Sequence, residues 1–148
     1  AQDVWRRYLE QTDDPNPNAA QLVAGSFFSL AENGDTVREI EESIEDAARA
    51  QRIAAEARPN VGSLSTLAIY EYFNGNFAAG NAAARRAEAR ASGKAQRKQI
   101  ERQMAQYRKR GKAWRKQAAK YAKLERKRGK EQLENPFGGL SGSPAGAP

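Results

Sequence analysis

Apolar residues recur along this chain at three- and four-residue spacing, and proline, glycine and asparagine cut that recurrence into segments. The pattern predicts helices, because one face of a 3.6-residue period carries the apolar set. A short helix spans Asp3–Gln11, with Val4, Trp5, Tyr8 and Leu9 on its apolar side. Asp13 to Asn18 contains two prolines and stops it. The next helix runs from Asn18 or Ala19 to Glu32 through Leu22, Val23, Phe27, Leu30 and Ala31, with Phe28 alongside. Asn33-Gly34-Asp35 is a turn. Thr36 and Glu39 then stand at capping-box spacing and open a helix through Val37, Ile40, Ile44, Ala47, Ala50 and Ile53 that ends at Arg58-Pro59.

Asn60 and Ser63 cap a helix to Phe73 whose face is Leu64, Leu67, Ala68 and Tyr72. Asn74-Gly75-Asn76 turns the chain. Phe77 to Ala91 follows with a smooth alanine face, and Ser92-Gly93 closes it. From Lys94 to about Leu133 there is no proline. Ile100, Met104, Tyr107, Gly111, Trp114, Ala118 and Tyr121 form a heptad-like seam with a weak step at Gly111. Such a helix would be about 60 Å long. Asn135 to Pro148 is rich in Gly, Pro and Ser and reads as a flexible tail.

The expected fold class is therefore all-α. It comprises helical hairpins at 1–92, a capping helix and basic arm at 93–134, and a tail at 135–148. Few large apolar residues and many alanines agree with close helix–helix contact.

Charge divides the same chain. Residues 1–84 hold 6 Lys and Arg against 13 Asp and Glu, a net of −7. Residues 85–148 hold 19 against 5, a net of +14. Arg108, Lys109, Arg110, Lys112, Arg115 and Lys116 surround Trp114 and Tyr121, and these eight are the candidate partner-binding residues. Cations with interleaved aromatics suit a nucleic-acid backbone or ribosomal surface, an anionic membrane surface, or a protein partner. Tyr107, Trp114 and Tyr121 equally suit packing on the hairpins or self-association. Beyond Gly111 the seam thins and the cations crowd, so the expectation is an arm that projects into solvent.

Catalysis is not expected. With no Cys and no His, the chain lacks a thiolate and the commonest general base and metal ligand. Glu39, Glu41, Glu42, Glu45 and Asp46 crowd one helix and read as a solvated acidic face, not a metal site. No phosphate-loop or nucleophile-elbow motif occurs. No cofactor and no small-molecule substrate are expected. No apolar run reaches the roughly 20 residues of a membrane span. The chain opens on Ala1, compatible with removal of a leader, an anchor or a larger parent, among which the sequence does not choose.

The second hairpin resembles a tetratricopeptide repeat, a helical hairpin of about 34 residues. Leu64, Leu67-Ala68, Tyr70 and Tyr72, the turn glycine Gly75, then Gly80 and Ala87 follow in the order that motif requires. Gly80 and Ala87 would let the second helix close on the first, while Leu64, Leu67 and Tyr72 fill the groove. The first hairpin matches through Ala47, Ala54 and Pro59, with its second helix longer by about two turns. The block "EARPNVGSLSTLAIYEYFNGNFAAGNAAARRAEA" followed by "QRKQIERQM" is similar to bacterial, largely actinobacterial, tetratricopeptide-repeat proteins of unassigned activity. The resemblance implies a bacterial, non-enzymatic protein-interaction scaffold. It is either held at a membrane by a segment outside this sequence or cytoplasmic. A nucleic-acid- or ribosome-associated protein is the alternative.

Overall fold

The computed structural model describes the backbone of residues 2–134 and the side chains of residues 3–130. The expected tail at 135–148 lies outside them. The fold is all-helical: α1 (Gln2–Gln11), α2 (Pro17–Glu32), α3 (Val37–Ala57), α4 (Val61–Phe73), α5 (Phe77–Ala89) and α6 (Lys94–Glu134).

Local chemistry sets the boundaries. The Asn16 side chain accepts from the N–H groups of Asn18 and Ala19, with Pro17 supplying a preset φ at the first position of α2. Thr36 and Glu39 form the expected capping box at α3. Asn60 and Ser63 form another at α4. Gly75 sits at φ +80, the left-handed region where a Cβ is penalised.

Each hairpin packs on the next. α2 pairs with α3, α4 with α5, α3 lies on α4, and α6 covers both α4 and α5. One core cluster joins Leu64, Leu67, Ala68, Tyr72, Ala83, Ala84 and Ala87 to Ile100 and Met104. A second joins Leu9 to Val23, Ala24, Phe27, Ala47 and Ala50. The Phe28 ring stacks on Tyr70 with centroids 4.4 Å apart and ties α2 to α4.

Small residues permit these approaches. A Cβ on Gly80 would stand 2.5 Å from the Tyr72 ring, and Ala87 is fully buried. The expected close contact between α4 and α5 is therefore present. A Cβ on Gly111 would stand 2.7 Å from the Tyr72 carbonyl oxygen. Gly111 is not a weak step; it is where α6 passes over the end of α4, and the helix continues through it.

Several expectations are corrected. Leu22 is 75% exposed and Leu30 is also exposed, while Ala20, Ala24 and Ala31 take the buried face of α2. On α1, Tyr8 and Leu9 face inward but Val4 and Trp5 face out. Tyr121 leaves the seam at 49% exposure, and the half-buried Ala122 continues it.

The projecting arm is overturned for α6 as far as Glu125. Ala118 is buried, Arg115 Nη1 lies 3.3 Å from Glu41 Oε1, and Glu125 accepts from the Val37 N–H at 3.1 Å. The reason is the length of α3. Its extra N-terminal turns lay Ile40, Glu41 and Ile44 beside the stretch of α6 that sequence reasoning leaves unsupported.

Candidate polyanion-binding helix face

At 100° per residue, α6 carries three lanes. Ile100, Met104, Tyr107, Gly111, Trp114 and Ala118 form the packed seam. Lys98, Arg102, Lys109, Lys116, Lys120, Lys123 and Lys127 fall in a sector of about 60° on its far side. All seven are exposed, and none is in an ion pair. They extend over about 44 Å at 1.5 Å per residue. The third lane is exposed and mostly uncharged, with Gln99, Gln103, Gln106, Gln117, Tyr121 and Leu124 beside Arg110 and Arg128.

The eight candidate partner-binding residues divide among these environments. Lys109 and Lys116 belong to the cation lane. Lys112 flanks it, with Nζ 5.8 Å from the centre of the Phe77 ring. Arg110, over the Tyr107 ring, and Tyr121 both sit in the third lane. Arg108 Nη1 donates to Asn81 Oδ1 at 3.4 Å.

The remaining two turn into the fold, which corrects their placement on an outer surface. Arg115 is half-buried on Glu41 and against Gly75. Trp114 is half-buried in a groove of about 210 Å³ with Phe28, Ala31, Ile40, Ile44 and Phe73, and its Nε1 is buried without an acceptor.

The acid-rich segment of α3 is not a uniform solvated face either. Asp46 is 4% exposed and holds two guanidinium groups, Arg6 Nη2 and Arg49 Nη2, each at 2.6 Å. The hydrogen bond to Asp46 is the largest influence holding the Arg6 guanidinium above its ordinary pKa. Glu39 is spent in the capping box, Glu41 on Arg115 and Glu42 on Arg38. Among the described residues no group of carboxylates could hold a metal ion. The same helix surface therefore braces α1 and α6.

Two features escape the sequence reading. The cation lane could have been found from its spacing of 4, 7, 7, 4, 3 and 4 residues, which repeats on one helix side. Glu71 could not. It sits in an apolar stretch, is 1% exposed, and accepts from Arg52 Nε at 2.6 Å through one oxygen while the other has no partner.

No protein-family model matches this chain, and neither a curated protein nor a solved structure matches it.

Proposed function

We propose that this protein is a non-enzymatic helical-hairpin scaffold that holds the phosphate backbone of a nucleic acid along the cation lane of α6. The observation that carries the reading is the lane itself: seven exposed cations without ion-pair partners on one side of a continuous helix. A regular line of charge complements a polymer charged at every repeat, and affinity then comes from counterion release.

Other anionic partners fit less well. Protein interfaces concentrate their energy in buried aromatic or apolar anchors. The lane has none, because Trp114 turns inward and Tyr121 lies on another flank. Helices that lie in a membrane interface expose an apolar face, whereas the apolar seam of α6 is packed on α4 and α5. The tetratricopeptide-like order of Leu64, Leu67, Tyr72, Gly75, Gly80 and Ala87 supports the scaffold part of the proposal.

Fluorescence anisotropy tests it with labelled RNA and duplex DNA across a salt series. The expected result is a slope of log K against log[salt] of about −4 to −6 on duplex, since each phosphate contact contributes about −0.9. Replacing Lys116, Lys120, Lys123 and Lys127 together by Ala should weaken binding at least about tenfold without lowering the thermal midpoint. The proposal fails if polyglutamate or anionic vesicles bind as tightly as nucleic acid, or if the quadruple variant binds as well as the parent.

A further inference from the structure

A second site lies beside the lane, in the cleft between α5 and α6. It has a volume of about 240 Å³ and is lined by the buried Ala84 and Met104 and by the exposed Ala105. Its walls carry Tyr72, Asn81, Arg85, Glu88, Glu101 and Arg108. Arg85, Glu88, Glu101 and Arg108 line one cleft with both signs of charge, yet none of the four is in an ion pair. Unpaired charges of both signs in one cleft suit a ligand that answers both.

The hairpin sorts these charges by position. α5 and α6 run antiparallel through the short connection at 90–93. Glu88 and Glu101 therefore stand at the end near the connection. Asn81 and Arg108 stand at the other, and Arg85 is one turn from each neighbour on α5. Glu101 and Arg108 are two helical turns apart, about 10 Å. The basic end is also fixed in place. Tyr72, 1% exposed, donates its hydroxyl to Asn81 Oδ1 at 2.9 Å, and Arg108 donates to the same oxygen at 3.4 Å. Two donors converging on Oδ1 leave the Asn81 amide nitrogen as a donor toward the cleft.

We propose that this cleft seats one nucleotide whose base carries an exocyclic amine, with its phosphate at the Asn81–Arg108 end and its amine at the Glu88–Glu101 end. Guanidinium groups bind phosphate in a fork, and a carboxylate accepts from the amine of cytosine. The apolar lining of Met104 and the two alanines takes the face of the base. A free amino acid with an uncharged side chain does not fit this layout, because its ammonium and carboxylate are held by one carbon and cannot reach both ends. The inference takes its ligand class from the nucleic-acid reading of α6. A strand lying on the lane passes the mouth of the cleft, since Arg108 lies between the lane and the seam.

Met104 is the chain's one methionine and lines the cleft, so its methyl resonance reports occupancy directly. Cytidine and uridine monophosphate differ at the amine position and make the test. Cytidine monophosphate should move the Met104 methyl signal saturably, with affinity about tenfold above that of uridine monophosphate. Glu88→Gln with Glu101→Gln should erase that preference. Arg108→Gln should weaken both nucleotides. Oligocytidylate should outcompete the free mononucleotide if the occupant arrives as part of a strand. A silent Met104 signal, or equal affinity for the two nucleotides, overturns the site. If oligonucleotides still bind with steep salt dependence in that case, the lane stands without the cleft. A Met104 response without any salt-dependent oligonucleotide binding leaves the cleft and removes the lane.

Discussion

Glu125, near the far end of α6, accepts a hydrogen bond from the backbone N–H of Val37, the first residue of α3, at 3.1 Å. The contact joins residues 88 positions apart. It satisfies one of the N–H groups that every helix start leaves open, beside the capping box that Thr36 and Glu39 already make. A carboxylate there also favours the positive end of the α3 dipole. The basic helix thus contributes an acid to the acidic helix, at the point where it would otherwise leave the fold.

Replacing Glu125 by Ala should cost about 1 kcal/mol, the usual worth of a helix-start cap. Hydrogen exchange should rise at the first amides of α3 and along α6 after Ala118. Unchanged exchange at both places would show that the capping box alone holds the start of α3. Glu125→Gln should retain part of the effect through its remaining acceptor oxygen.

The two glycines inside the described part of α6 should respond oppositely to alanine. Helix propensity alone favours Ala over Gly by about 1 kcal/mol. At Gly129 nothing lies within 4 Å of a new Cβ, so Gly129→Ala should stabilise by up to about that amount. At Gly111 the new Cβ would meet the Tyr72 carbonyl oxygen at 2.7 Å and the carbonyl carbon at 2.8 Å, both backbone atoms. Gly111→Ala should therefore destabilise by about 1–3 kcal/mol, the cost of overpacking a contact. Chemical denaturation of the two variants decides it, and a stabilised Gly111→Ala would mean that α6 lifts from α4 at no cost.

Helix boundaries were legible because their causes are local. Thr36 with Glu39, and Asn60 with Ser63, each act within one turn, whereas α2 starts at Pro17 behind the Asn16 cap, ahead of the expected Asn18 or Ala19. The Gly80 contact was legible because a hairpin brings near neighbours together. What could not be read is what stands opposite a given face. Periodicity places Trp114 and Tyr121 on one seam, but only the length of α3 makes Trp114 an inner residue and leaves Tyr121 outside. Leu22 matched the apolar stripe of α2 and is exposed, since small alanines pack closer to α3 than a leucine could. Asp46 looked like its neighbours in an acidic run. Its burial depends on Arg6, forty residues earlier. Of the candidate site, the cations were visible one by one. Their alignment into one lane needs the helix to be continuous through Gly111.

Asp46 should be the acid whose loss matters most on α3. Its side chain is 5% exposed and links α1 to α3 through Arg6 and Arg49, whose side chains are 31% and 35% exposed. Truncating a buried ion pair usually costs most when it strands a buried charge. Here the arginines can turn to water, so Asp46→Ala should cost roughly 1–3 kcal/mol. The loss should fall chiefly on α1, which has few other ties to the fold. Hydrogen exchange over residues 3–11 should rise sharply in Asp46→Ala. The same change at Glu45, exposed and in no ion pair, should leave α1 protected.

Stability should fall at alkaline pH through the buried tyrosines. Burial raises the pKa of the Tyr70 hydroxyl above its ordinary value near 10, because the phenolate loses solvation in the stack on Phe28. Burial also raises Tyr72, with Arg108 and Arg85 pulling the other way. The folded state thus holds its phenol protons more tightly than the unfolded chain. That contribution is complete below pH 10 and is lost as pH rises through the folded values. Tyr70→Phe removes one such group without removing a side-chain hydrogen bond, since the Tyr70 hydroxyl makes none. Its unfolding midpoint in urea should match the parent at about pH 8 and exceed it at about pH 11. Every other ionisable group is common to both proteins and cancels in the difference. A Tyr70→Phe variant that tracks the parent at every pH would mean that the ring pair opens before the phenol loses its proton.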